Sequence, residues 1–585
     1  MERNMKKINI KWKVLIIMLF VLAILASAYG VYVNIKKSDN TLEGISKVDD
    51  IDVSVKLDNG DEEISWNEYE EKQITLLESL TINKEGVYYL TGTISDGYIK
   101  VNVDGNVKLV LDNVSITNSN GPAIIIENAK NTVIQLKENS KNCLEDSETY
   151  TNYEENVDGV IYSKDDIIFE GTGELTIKAN HGDGIVGKDD LKIISGTYNI
   201  TSADDGIRGK DSVYILDGNF YINAKGDGIK STNEEKDEKG FVLIENGNFE
   251  IEASKDGIQA ETNIIIKNGK FNIKTGGGSE NSNKGKKQDN RGRFNENKTT
   301  SSENTTTSTK GIKAGNNIVI SGGYFDINSS DDSIHSNNYI GIKNGTFEIS
   351  AGDDGIHADN AIVIENSNTN INISKSYEGI EASRIVINDG TIKLVASDDG
   401  INAAGKEDSQ NMMNKSKEKS NNILIINGGD IFVNASGDGI DLNGSGYIYG
   451  GNIIVDGPSS NGDGALDYDG ELVVSGGNLL AVGSSGMAQG VSSKSNVYNV
   501  MINLSTSYSS GKKIVIEDSE GNEIVSYSPT KTYSSIVVAS NKLEKSKTYK
   551  VLIDDEEVES FTITSVTTNV GNKNNREMRG GGGRP

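Results

Sequence analysis

The sequence predicts an all-β protein: a right-handed parallel β-helix solenoid with a small C-terminal β domain or cap. Three observations carry this. A short word built on Asp-Gly recurs at a period close to 22 residues. The stretches between recurrences alternate apolar and polar residues in short runs. Equivalent positions of successive repeats stay apolar along the chain. A period of roughly 20–30 residues made of strand-like pieces marks a solenoid in which each repeat is one coil.

The word stands at Asp158, Asp183, Asp205, Asp227, Asp256, Asp354, Asp399, Asp438 and Asp463, each followed by Gly; Lys310-Gly311, Asp332-Ser333 and Glu378-Gly379 keep its place. Successive spacings are 25, 22, 22, 29, 54, 22, 22, 24, 21, 39 and 25. The two long ones contain polar insertions, about 276–309 and 406–421, whose composition reads as surface loop. Between Asp205 and Asp227 the chain shows three short strands. Ile207 opens one, Ser212–Leu216 alternates as the second, and Phe220–Ile222 forms the third after a glycine turn at Gly218. Glycine in the word itself is read as supplying a left-handed turn.

The third strand carries a column: Leu175, Tyr198, Phe220, Phe249, Phe271, Phe325, Phe347, Ile371, Ile392, Ile431, Ile453 and Leu479. In coils about 4.8 Å apart these stack as an interior ladder. The Ile of each word (Ile185, Ile207, Ile229, Ile258 and onward) makes a second. The next position is mixed: Arg208, Lys230, Gln259, Lys313, His335, His357, Glu381, Asn402 and Asp441. Alternation places that column outside. His335 and His357 are then exposed neighbours on consecutive coils.

The flanks differ in character. Residues 1–34 read as a signal peptide or signal anchor. Arg3, Lys6, Lys7, Lys11 and Lys13 precede the apolar run Val14–Val33, and Ala26-Ser27-Ala28 resembles a cleavage site. Positive-inside charge places the chain beyond residue 34 outside the cytoplasm, secreted or anchored to the outer face of the membrane. Residues 35–82 read as linker and N-terminal cap, 83–495 as the β-helix, and 496–565 as the small β domain or cap, with a hairpin over Lys512–Tyr527. Residues 566–585 read as a disordered tail.

Composition narrows the function. A net charge of −28 argues against nucleic acid as a partner. A single cysteine, Cys143, permits no intrachain disulfide and reads as a buried small hydrophobe. The chain reads as a monomer that meets a membrane only through its N-terminal segment.

Stacked carboxylates repel one another by about 1 kcal/mol in water and more near a protein surface. Their repetition therefore calls for a compensating cation, and Ca²⁺ takes carboxylate and carbonyl oxygens. The candidate ligands are Asp158, Asp183, Asp204, Asp205 and Asp227 on the Asp-Gly column, with Asp165, Asp166, Asp189, Asp190 and Asp211 on a second acidic column about five residues on. A strip of Lys164, Lys188, Arg208, Lys210 and Lys230 beside them is the candidate polysaccharide contact.

The run "GVIYSKDDIIFEGTGELTIKANHGDGIVGKDDLKIISGTYNITSADDGIRGKDSVYILDGNFYINAKGDGIKS" resembles the cell-surface β-helix carbohydrate-binding proteins of cellulolytic clostridia. The likeness extends over about residues 60–565, the insertions apart. It implies a polysaccharide-lyase-like fold and binding of calcium, of acidic sugar polymers such as polygalacturonate, and of cellulose. The family's calcium-binding turns map onto the Asp-Gly and Lys-Asp-Asp turns. The reading is an extracellular, calcium-dependent, non-catalytic carbohydrate-binding protein. The alternatives are a pectate-type lyase, with Lys188 or Lys210 as the base, and a structural spacer or adhesin.

Overall fold

Each strand of a coil lies in register on the corresponding strand of the next. Asp183–Gly187 pairs with Ile207–Gly209 and that with Ile229–Ser231. Asp190–Ile193 pairs with Ser212–Ile215 and that with Phe241–Ile244. Thr197–Ser202 pairs with Asn219–Ala224 and that with Asn248–Ala253. All these pairings are parallel, and the pattern of one strand bonding the third one on repeats through the chain. The result is a parallel β-helix with three faces, called here the first, second and third sheets in the order just given. The computed structural model describes residues 44–55, 64–151, 153–154, 157–234, 238–282, 307–405 and 422–571. The apolar run 14–33, the interiors of both insertions (283–306 and 406–421) and the tail from 572 lie outside the described residues.

The coils begin ahead of residue 83. Strand Glu71–Leu76 already pairs in parallel with Gly86–Ile94, and that with Asn106–Thr117.

Alternation does what the sequence requires of it. On Asn219–Ala224, Phe220, Ile222 and Ala224 are buried while Tyr221 and Asn223 are exposed. The predicted ladder is observed. From Tyr198 through Phe220, Phe249, Phe271 and Phe325 to Phe347, successive ring centroids lie 4.7–5.2 Å apart with planes within 8°. The coil spacing sets this parallel stack of rings. Cys143 departs from expectation. It sits at an outward position of strand Lys141–Glu145 and is only partly buried.

Glycine plays two roles that the repeat pattern merges. In the word, Gly206 has no positive φ. It is required for space, since a Cβ there would stand 2.5 Å from both the Gly228 carbonyl oxygen and Ile222 Cγ2. The conformational requirement falls on the turn before the third strand, where Gly218 has φ +144 and Gly269 +134.

The open C-terminal end is covered. Asn478–Gly483, on the last coil, pairs antiparallel with Tyr533–Ser540. A four-stranded antiparallel sheet (Ile514–Asp518, Glu523–Tyr527, Thr548–Ile553, Glu556–Thr562) packs with it around its own core, including Tyr549, Val551 and Phe561. Lys531 latches this cap to the coils by donating to Asn434 Oδ1 at 2.7 Å and to the Asp456 carbonyl at 2.8 Å. Near the other end of the chain, Lys47–Val55 straps the second sheet. Val48 and Ile51 fill the space left by Gly341, and Asn317 Nδ2 donates to the Asp52 carbonyl at 2.7 Å.

Candidate cation and polysaccharide sites

The aspartates of the word first serve the backbone. Asp183 Oδ1 accepts the Asp205 N–H at 2.8 Å, Asp205 Oδ1 that of Asp227 at 2.8 Å, and Asp227 Oδ1 that of Asp256 at 2.8 Å. The relay recurs from Asp332 to Asp354 (3.0 Å), from Asp399 to Asp438 (2.6 Å) and from Asp438 to Gly464 (2.6 Å). Each carboxylate thus satisfies a buried donor of the following coil at a turn.

The second oxygen of each carboxylate looks outward, and over the first two thirds of the helix a cation meets it. Arg208 donates to Asp183 Oδ2 and to Asp158 Oδ2, both at 2.5 Å. Lys230 reaches Asp227 at 2.6 Å, Lys313 reaches Asp256 at 3.3 Å, and Lys310 reaches Asp332 at 3.0 Å. His335 Nδ1 lies 2.8 Å from Asp332 Oδ2. His357 Nδ1 lies 2.8 Å from Glu381 Oε2 and 3.2 Å from Asp354 Oδ2. The mixed column three residues after each aspartate is therefore largely a row of counterions. The histidines, expected as exposed, are mostly buried, with rings 4.9 Å apart and 12° from parallel. Burial works against charge on His357, but Asp354, Asp359 and Glu381 outweigh it and push it up to about 12. Burial raises Asp183 to about 7 in spite of Arg208.

Farther along, the cations stop while the acids continue. Asp399, Asp438 and Asp441 bring carboxylate oxygens within 4.8 Å of one another, and among the described residues no Lys, Arg or His pairs with them. Burial, ahead of repulsion from neighbouring carboxylates, pushes Asp399 up to about 8, Asp441 to about 7 and Asp438 to about 6. Asn402, in register with Asp441, is 6% exposed. Its Nδ2 donates back to Glu378 Oε2 at 2.8 Å, while its buried Oδ1 has no partner. The three convergent carboxylates are oxygen donors of the kind a hard divalent cation takes. The sequence signal was present, as the outward column turns acidic after His357.

Two further groups of the acidic candidates converge, and other candidates are held singly. Asp166, Asp189 and Asp190 converge within 4.8 Å, as do Asp183, Asp204 and Asp205. Asp165 Oδ2 instead accepts the Ala129 N–H at 2.8 Å. Asp211 is bound by Asn233 Nδ2 at 2.5 Å and by Lys239. Of the basic strip, Arg208 and Lys230 are engaged with the aspartate column, whereas Lys164 and Lys210 are exposed. Lys188 Nζ lies 5.6 Å from the Tyr162 ring centre, and burial and then Arg208 hold its ammonium below the usual lysine range.

The described coils form a long parallel β-helix with stacked acidic turns. The model of the carbohydrate-binding domain-containing protein family matches residues 78–355 and 336–413, and the chain belongs to that family. A curated carbohydrate-binding domain-containing protein of Acetivibrio thermocellus is 41% identical over 126 residues, 20% of this chain and 43% of the relative. The chain thus spans under half of that relative's length. The solved polysaccharide lyase-like protein from C. thermocellum, in its gadolinium derivative, is 36% identical with a TM-score of 0.34, covering 34% of this chain and 83% of that one.

Proposed function

We propose that the chain is an extracellular, non-catalytic protein that binds acidic polysaccharide with the help of calcium. The observation that carries this reading is the convergent group of Asp399, Asp438 and Asp441, met by no protein cation among the described residues, with the buried, unpartnered Asn402 Oδ1 in register with Asp441 on the preceding coil. A bound calcium ion would supply positive charge for a sugar carboxylate on a protein whose net charge is −28. Asp166, Asp189 and Asp190 form a second candidate group, near the exposed Lys164 and Lys210. At Asp158 and Asp183 the Arg208 guanidinium already supplies the compensating charge. Secretion or outer-face anchoring through residues 14–33 belongs to this proposal and brings the chain to such polymers.

The test is sedimentation of the full chain with polygalacturonate in calcium and in chelator. Binding is expected in calcium alone, together with a calcium-induced rise in melting temperature that Asp441→Asn reduces. Equal binding in chelator overturns the calcium mechanism. A second reading, a polysaccharide lyase, draws on the depressed ammonium of Lys188, which suits a base. Formation of unsaturated, ultraviolet-absorbing product from polygalacturonate, lost in Lys188→Ala, would establish it.

A further inference from the structure

Lys531 reaches from the cap onto the outer face of the third sheet, and the groups it meets suit the formation of an amide. Its Nζ lies 2.7 Å from Asn434 Oδ1 and donates to the Ala435 carbonyl and, at 2.8 Å, to the Asp456 carbonyl. All three partners are uncharged amide oxygens. Asn434 and Asp456 stand in register on neighbouring coils.

The surroundings are apolar. Phe432 precedes Asn434 on the outward side of strand Asp430–Ala435, and the Tyr527 ring of the cap lies 6.3 Å from the Phe432 ring. Val482, in register beyond Asp456, is fully buried. Burial holds the Lys531 ammonium down to about 8 in spite of Asp456, so the neutral amine is within reach near neutral pH. A desolvated lysine amine is a nucleophile toward carbonyl carbon.

The other end of the Asn434 carboxamide is served as well. Its Nδ2 donates to Thr530 Oγ1 at 3.5 Å, and Thr530 Oγ1 donates to Asp456 Oδ2 at 2.7 Å. The same Oδ2 accepts the Thr530 N–H at 2.6 Å and the Tyr527 hydroxyl at 2.9 Å, and Asp456 is 2% exposed. A lysine nitrogen thus faces the oxygen of a carboxamide whose nitrogen leads, through one hydroxyl, to a buried carboxyl group.

We propose that Lys531 and Asn434 form an intramolecular isopeptide bond that joins the cap covalently to the coils. The neutral Nζ attacks Asn434 Cγ, the Nζ–Cγ bond forms, the Cγ–Nδ2 bond breaks and ammonia leaves. The proton that Nζ gives up ends on the departing nitrogen, and the Thr530 hydroxyl, with Asp456 behind it, is the route to that nitrogen. One amide replaces another, so no electrons are exchanged and no co-reactant is consumed. With a single cysteine the chain has no intrachain disulfide. The isopeptide bond spans 97 positions of sequence and restrains the unfolded chain as a disulfide does.

Mass spectrometry of a tryptic digest of the full folded chain tests it. Acylation of Lys531 blocks cleavage there. The expected product is a branched species, residues 420–494 joined to 514–542, lighter than the two peptides together by one ammonia. Lys531→Arg keeps the charge and the donors but cannot form the bond, and it should release 420–494 as a free peptide of unaltered mass. Free 420–494 and 514–531 as the main products of the natural chain would overturn the proposal. So would loss of ammonia from 420–494 in Lys531→Arg as well, which marks ring closure within that peptide. Asp456→Asn should lower the linked fraction; complete linkage in that variant would remove Asp456 from the step.

Discussion

Lys230 Nζ lies 2.6 Å from Asp227 Oδ2 and 3.6 Å from Asp205 Oδ2, so one ammonium serves the carboxylates of two consecutive coils. Burial opposes charge on Lys230, yet Asp205 and then Asp227 hold its ammonium above the ordinary lysine range. Both aspartates are nearly inaccessible. Lys230→Met leaves their charge uncompensated and is expected to destabilise the protein by about 3 kcal/mol. Lys230→Met combined with Asp227→Asn should recover part of the loss. Denaturation of the two variants side by side checks this; equal stability of the double and single variants would contradict the pairing.

Phe271 stacks between Phe249 and Phe325, with ring centroids 4.7 Å away on each side. Phe271→Ala removes both contacts from a buried column and should cost about 3–5 kcal/mol. Solenoid coils touch only their neighbours, so hydrogen exchange should accelerate most in the adjoining coils. Uniform acceleration along the chain would contradict a ladder of local contacts.

Gly206→Ala tests the claim that the word needs room rather than a left-handed turn. The new methyl meets backbone oxygen of the next coil, which cannot swing aside. A loss of about 1–3 kcal/mol in stability is expected. A neutral substitution would show that the coils shift freely.

The His357 imidazolium makes stability depend on pH. Its folded value, about 12, lies above its ordinary 6.5, so the folded state holds the extra proton. Its stabilisation is complete below about pH 6.5 and is lost as pH rises toward 12, by up to about 1.4 kcal/mol per pH unit. The melting temperature of the natural chain should fall between pH 7 and 9 more steeply than that of His357→Gln. Parallel slopes would contradict a charged His357.

Much of the fold is legible in the residues alone. The spacing of 22 residues, the alternation within strands and the apolar column from Leu175 to Leu479 already specify coils in register. Local periodicity translates directly into which side chains face inward. The convergence of Asp166, Asp189 and Asp190 is legible too, because equivalent positions on adjacent coils must be neighbours. The role of the word's glycine is not. A two-letter turn signal does not distinguish a positive φ from a close backbone approach on the next coil.

By itself, then, the sequence determined the architecture, since repetition with a strand period leaves few other ways to bury that apolar column. Only the tertiary structure decided which acids are compensated. Arg208 reaches back 50 residues in sequence to Asp158, and Lys239, entering from an irregular loop, closes on Asp211. Asp399, Asp438 and Asp441 are met by no such cation among the described residues. Likewise only the fold brings Lys531 of the cap against Asn434, 97 residues back in sequence. Such pairings depend on how long side chains lean along the helix axis and where loops return. A repeat period records neither.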